Sequence, residues 1–141
     1  MKTLCLLALM SLALAGCASA PMRFPQPDAQ WRTATGQLRY ATLERAVIGE
    51  VVVAQRGRDD FQLDFSTGPG VPLMKLRLHG GRARAEGVLA RGAWQGRPAR
   101  APRRLRPWLA LAGQLDLAAA SGPASVVVPE TGERFVFLFG R

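Results

Sequence analysis

Between Gln37 and His79 apolar and polar side chains repeatedly alternate, the period-two signature of half-buried β-strands. Gln37 to Leu43 sets Leu38 and Tyr40 on one face against Gln37 and Arg39 on the other. Val47 to Gln55 is a β-branched run, and "RGRDD" after it has turn chemistry. Phe61, Leu63 and Phe65 then oppose Gln62 and Asp64, the cleanest alternation in the chain. "STGPG" breaks the pattern, and it resumes with Met74, Leu76 and Leu78 opposed to Lys75, Arg77 and His79. Gly80-Gly81 predicts a two-residue hairpin turn into Arg82 to Leu89, where small Ala83, Ala85 and Gly87 share a face and leave space beneath it.

The pattern then changes. Arg91 to Arg106 is rich in Arg, Pro, Gly and Ala and reads as a long loop. Pro107 suits the first turn of a helix, and Trp108, Leu111, Ala112 and Leu115 recur at helical spacing through about Ala120, before Gly122-Pro123. A last hairpin, Ser125 to Val128 and Arg134 to Phe139, is joined through "PETGE"; both faces of its second strand are apolar, placing it centrally or under cover on both sides. The expected fold is mainly β: a strongly curved antiparallel sheet, or half-open β-barrel, of about six or seven strands with one late helix packed on its concave face. Residues 31–141 form a single domain in this reading.

The leader changes the picture of where that domain works. Met1 and Lys2 precede an apolar run from Leu4 to Leu14, too short to cross a bilayer and of the form of a secretory signal peptide. Leu14-Ala15-Gly16-Cys17 resembles the lipobox of bacterial lipoproteins. That resemblance implies cleavage before Cys17, diacylation of its thiol and acylation of its freed amine, with residues 1–16 removed and residues 17–30, which carry three prolines, acting as a tether. The alternative is an ordinary signal peptide cut at Ala18-Ser19-Ala20. One acyl chain holds a protein to a membrane only marginally, whereas two or more anchor it stably. Ala18, in place of aspartate, implies sorting to the outer membrane with the domain facing the periplasm. Of the two cysteines, Cys5 leaves with the leader and Cys17 carries lipid, so the mature chain has no thiol for a disulfide, metal or nucleophile.

No catalytic, metal or cofactor constellation emerges, and the chain reads as a non-enzyme. His79 is the only histidine and falls on a polar strand face; Asp59-Asp60 reads as a turn pair; the glycines of "STGPG" and "HGG" lack the spacing of a phosphate-cradling loop. The formal net charge of +9 is concentrated in Arg97, Arg100, Arg103, Arg104 and Arg106. In a cytoplasmic protein such a cluster would neutralise nucleic-acid phosphates, a partner an exported lipoprotein does not meet. Beside Trp94 and Trp108 it reads either as a contact for anionic lipid headgroups or as a solvated loop.

The order of the pieces is similar to that of the LolB-type outer-membrane lipoproteins and their soluble LolA-type relatives. The resemblance runs from Trp31 and "TGQLRY" through "GEVVVAQRGRDDFQLDF" and "LMKLRLHGGRARAEG" to "RRLRPWLALAGQL", roughly residues 31 to 115. It implies a half-open barrel capped by helices whose apolar hollow accepts acyl chains of other lipoproteins, in a version shortened by several strands. Candidate lining residues are Leu38, Tyr40, Phe61, Leu63, Phe65, Leu76, Leu78, Trp108 and Leu111. The same side chains could equally form a filled core, leaving an anchored accessory protein that works through its surface.

Overall fold

Every segment with clean alternation becomes a strand, and one segment without it does too. The computed structural model describes residues 22–120 and 122–140; the leader and Cys17 lie outside the described residues. The strands are β1 (Arg32–Ala41), β2 (Ala46–Arg56), β3 (Asp60–Thr67), β4 (Val71–His79), β5 (Arg82–Gly87), β6 (Gly92–Gly96), β7 (Ala124–Val128) and β8 (Glu133–Phe139). They form one antiparallel sheet in the order β6-β5-β4-β3-β2-β1-β8-β7, with β6 and β7 as separate edges, so the sheet is not closed into a barrel. A single helix, α1 (Arg106–Gln114), follows two short 3-10 turns at Pro98–Arg100 and Arg103–Leu105.

Eight strands stand where six or seven were expected, because the expected loop after Arg91 contains β6. "GAWQG" has glycine at both ends and one large apolar residue, too little for an alternation to show. Pairing with β5 makes it a strand, setting Trp94 beside Ala85. The first strand also starts earlier than the alternation indicated, at Arg32. β8 lies inside the sheet between β1 and β7, the first of the two positions its apolar faces allowed; Phe135 and Phe137 are buried inward, while Leu138 on the other face is half exposed.

The helix ends six residues before Ala120. The Gln55 side chain, at the end of β2, donates from Nε2 to the Leu115 carbonyl at 2.9 Å and accepts at Oε1 from the Leu117 amide at 3.0 Å. These bonds satisfy groups that a helix terminus leaves open. Asp116 then accepts from the Ala118 amide at 2.9 Å, an Asx turn that competes with further helix.

Two glycine sites explain local geometry. Gly80 and Gly81 both have positive φ, 56° and 74°, as a tight two-residue hairpin with matching twist needs. Gly36 in β1 pairs with Phe139 of β8, and a Cβ there would stand 2.1 Å from the Leu138 carbonyl oxygen, so only glycine admits so close an approach of backbones.

Antiparallel order sends the turns to two ends. The turns at 42–45, 68–70, 88–91 and 129–132 share one end, here the Leu43 end; those at 57–59 and 80–81 share the other, the Gly57 end. The apolar face of the sheet and the buried side of α1 form one core. Trp108 is fully buried in it, its ring centroid 4.8 Å from that of Tyr40, 4.8 Å from Phe135 in an edge-on arrangement, and 6.0 Å from Phe65. Removing a buried aromatic loses both its transfer energy and its packing contacts. Trp108→Ala is expected to lower unfolding free energy by about 3–5 kcal/mol, and Trp108→Phe by clearly less, in urea unfolding followed by circular dichroism.

Candidate functional site

The structure brings all nine predicted acyl-lining residues to one face, and it fills the space between them. Leu38, Phe61, Leu63, Leu76, Trp108 and Leu111 present no surface that a water molecule can touch; Phe65 and Tyr40 are buried, and Leu78 is partly buried at the margin of the same cluster. A void large enough for water would leave such surface on its walls, so none borders those six side chains. The space expected beneath Ala83 and Ala85 is likewise occupied: both are fully buried in the core that contains Leu105, Leu111 and Trp108.

Polar groups gather at the two ends instead. At the Gly57 end, Asp60 is the first residue of β3 and is buried, not an open turn residue. It accepts from Arg56 Nε at 2.8 Å and from His79 Nδ1 at 2.5 Å. Burial by itself would push its carboxyl up, but the bonds from His79 and Arg56 outweigh it and hold the group below the ordinary aspartate value. Arg56 also lies over the Trp31 ring, 5.2 Å from its centroid. His79 is about half exposed on its polar strand face, and its ring also reaches the Asp60 carboxylate from β4.

The outer face of the sheet is partly covered as well. Gln62 was expected among solvated side chains, yet it is buried, donating to the Pro25 carbonyl at 2.6 Å. Residues 22–30, read as part of a free tether, therefore have a docking point on the convex side of β3. Met22 and Phe24 continue along it to line a shallow groove with Lys75, Arg77, Arg84 and Glu86.

At the Leu43 end, the turns at 42–45, 88–91 and 129–132 and the 3-10 turn at Arg103–Leu105 surround a cleft of about 550 Å³. Its lining includes Tyr40, Leu43, Arg45, Leu89, Arg91, Arg103, Arg104 and Glu133. The Tyr40 hydroxyl donates to Glu133, which also accepts from Thr131 Oγ1 at 2.8 Å. Burial, then the bond and charge of Glu133, raise the Tyr40 phenol well above its ordinary range, so it is a fixed donor. Arg104 is positioned through Nε, which donates to the Ala90 carbonyl at 3.0 Å.

The five arginines read from sequence as one patch do not form one. Arg103 and Arg104 belong to the Leu43-end cleft, whereas Arg97 directly follows β6 at the opposite end, and Arg106 donates to the Ala101 carbonyl at 3.1 Å. In exchange, the fold adds Arg45 and Arg91 to the first pair. Sequence reasoning missed these two, and the Tyr40–Glu133 bond, because the partners come from four separate turns and Tyr40 and Glu133 lie 93 residues apart. Among the described residues no group of three or more His, Cys, Asp or Glu is placed to hold a metal, and no helix is long and apolar enough to cross a membrane.

No protein-family model and no curated protein matches the chain.

The Asp60 hub sets an acid limb to stability. Its folded carboxyl titrates below the ordinary value, so its contribution is fully present above an aspartate's usual pKa of 3.8 and is lost as pH falls through the lower folded value. Asp60→Asn is expected to lower the melting temperature at neutral pH and to approach the parent as pH falls below the lowered value of the folded carboxyl, as thermal melts from neutral into acid would show.

Proposed function

We propose that this protein is an envelope lipoprotein, anchored through acylated Cys17 at the periplasmic face of the outer membrane, and that its domain is a non-enzymatic accessory acting through its surface. The supporting observation is the filled interior: Trp108 occupies the centre of the face where a carried acyl chain would lie, with Tyr40, Phe65 and Phe135 against it. A guest would have to displace α1 and expose an aromatic that now has no contact with water, a cost of several kcal/mol before any binding is gained.

A second reading, acyl-chain binding of the LolB type, draws on the shape of the sheet. β4 and β7 stand five places apart in the strand order, about 24 Å on a flat sheet, yet both touch α1, a helix about 13 Å long. A sheet curled around one short helix is the arrangement in which that helix, if it moved aside, would leave a half-open apolar cup. In this reading α1 is the plug, and the lining is the set from Leu38 to Leu78 with Trp108 and Leu111 withdrawn.

Two measurements separate the parts of the proposal. Mass spectrometry of the membrane-extracted protein is expected to show cleavage before Cys17 and at least two acyl chains on it, with Cys17→Ala abolishing both; an unacylated mature chain beginning after Ala20 would refute the anchor. Titration of the folded Cys17→Ser protein with a fluorescent acyl probe is expected to give no saturable binding displaced by a triacylated lipopeptide. Saturable, displaceable binding would replace the accessory reading by the carrier reading.

A further inference from the structure

The Leu43-end cleft draws its positive charge from three parts of the chain. Arg45 comes from the β1–β2 turn, Arg91 from the β5–β6 turn, and Arg103 and Arg104 from the 3-10 turn that leads into α1. None of the four belongs to an ion pair among the described residues, although Arg56, Arg77 and Arg84 elsewhere all do. Neither of the two carboxylates in the lining forms an ion pair with them, Glu133 accepting from Tyr40 and Thr131 and Glu44 lying exposed on its turn, and four guanidinium groups against two carboxylates leave the lining net positive. Guanidinium groups brought together without carboxylate partners suit a ligand that supplies oxygens of its own, and their planar forks match phosphate oxygens in pairs.

The surroundings separate a membrane surface from a soluble anion. Leu43 is 87% exposed and Val88 64% exposed, two apolar side chains on turns at the same end. Arginine beside exposed aliphatic side chains is the composition of a surface that meets headgroups and the first acyl carbons together. The anchor can reach that level. Met22 lines the convex-face groove with Lys75, Arg77, Arg84 and Glu86, and Glu86 is one residue before β5 ends at the β5–β6 turn. The chain from Cys17 to Met22 spans up to about 18 Å, enough to cover the remaining strand positions.

We propose that the cleft bounded by Arg45, Arg91, Arg103 and Arg104 is a docking site for the phosphodiester headgroup of an anionic phospholipid, so that the domain sits with its Leu43 end on the bilayer. This rests on the membrane placement proposed above, but its test does not use the anchor. The full chain carrying Cys17→Ser, shown to be folded by circular dichroism, is sedimented with vesicles of phosphatidylcholine alone or mixed with phosphatidylglycerol. Two charge-matched variants accompany it: Arg91→Glu with Arg103→Glu in the cleft, and Arg58→Glu with Arg97→Glu at the opposite end.

The parent is expected to bind the anionic vesicles and not pure phosphatidylcholine. One basic residue at the surface contributes about fivefold in partitioning, so the cleft variant should bind at least about thirtyfold more weakly, while the opposite-end variant changes by less than about threefold. Equal losses in both variants would mean diffuse charge attraction and overturn the site. So would absence of binding by a folded parent, or equal binding to both lipids. Free glycerol phosphate that raises the parent's melting temperature while anionic vesicles leave the protein in the supernatant would assign the cleft to a soluble phosphate and overturn membrane docking. Failure of Cys17 acylation would appear only in the mass measurement, so the two proposals fail separately.

Discussion

Trp108 is where the helix and the sheet become one structure. α1 is nine residues long, too short to hold together in water by its own hydrogen bonds, and its residue types give it no capping side chain at the start. It is helical because its apolar side is buried, and its largest side chain lies among Tyr40 of β1, Phe65 of β3 and Phe135 of β8. Those three strands span the centre of the sheet, so the same ring that docks the helix also fixes how the strands bend toward it. Gln55 completes the arrangement from the other side, closing the helix end with both atoms of its amide. A single polar side chain at the end of a strand thus stops the helix where the sheet needs it to stop.

What could be read in advance follows from the range of the forces involved. Strand alternation is local, and the segments around Leu38, Phe61 and Leu76 show their buried faces without any knowledge of partners. The hairpin at Gly80-Gly81 is equally local, because the turn type depends on two residues. β6 was not legible, since a five-residue strand with glycine at both ends becomes a strand only through pairing with β5. The helix end was not legible either: Leu115 and Leu117 continue the apolar spacing, and the interaction that ends the helix comes from Gln55, 60 residues away.

The polar sites show the same division more sharply. Asp60 and His79 looked like a turn acid and a solvated base, roles that fit each residue alone. Paired across β3 and β4, they become a buried carboxylate held by both Arg56 and His79. The arginine cluster fails in the opposite direction. Residues close in sequence from Arg97 to Arg106 were treated as close in space, but the segment between β6 and α1 runs from one end of the sheet to the other and separates them. Proximity in the cleft is decided by which turns share an end, a property of strand order.

That strand order also governs when the domain can exist. β1 is among the first elements of the sheet in sequence and β8 is the last, yet they are neighbours, with Leu38 opposite Phe137 and Tyr40 opposite Phe135. A chain emerging with its N-terminus first would expose β1 to β5 as a sheet lacking one central neighbour, and α1 as a peptide lacking the Phe135 side of its pocket. Closure of the core waits for residues beyond Glu133, and loop closure over that distance is slow compared with adjacent hairpins. The topology therefore leaves an N-terminus-first chain loose until its last strand is available, and the core sets as a unit only when β8 slots in between β1 and β7.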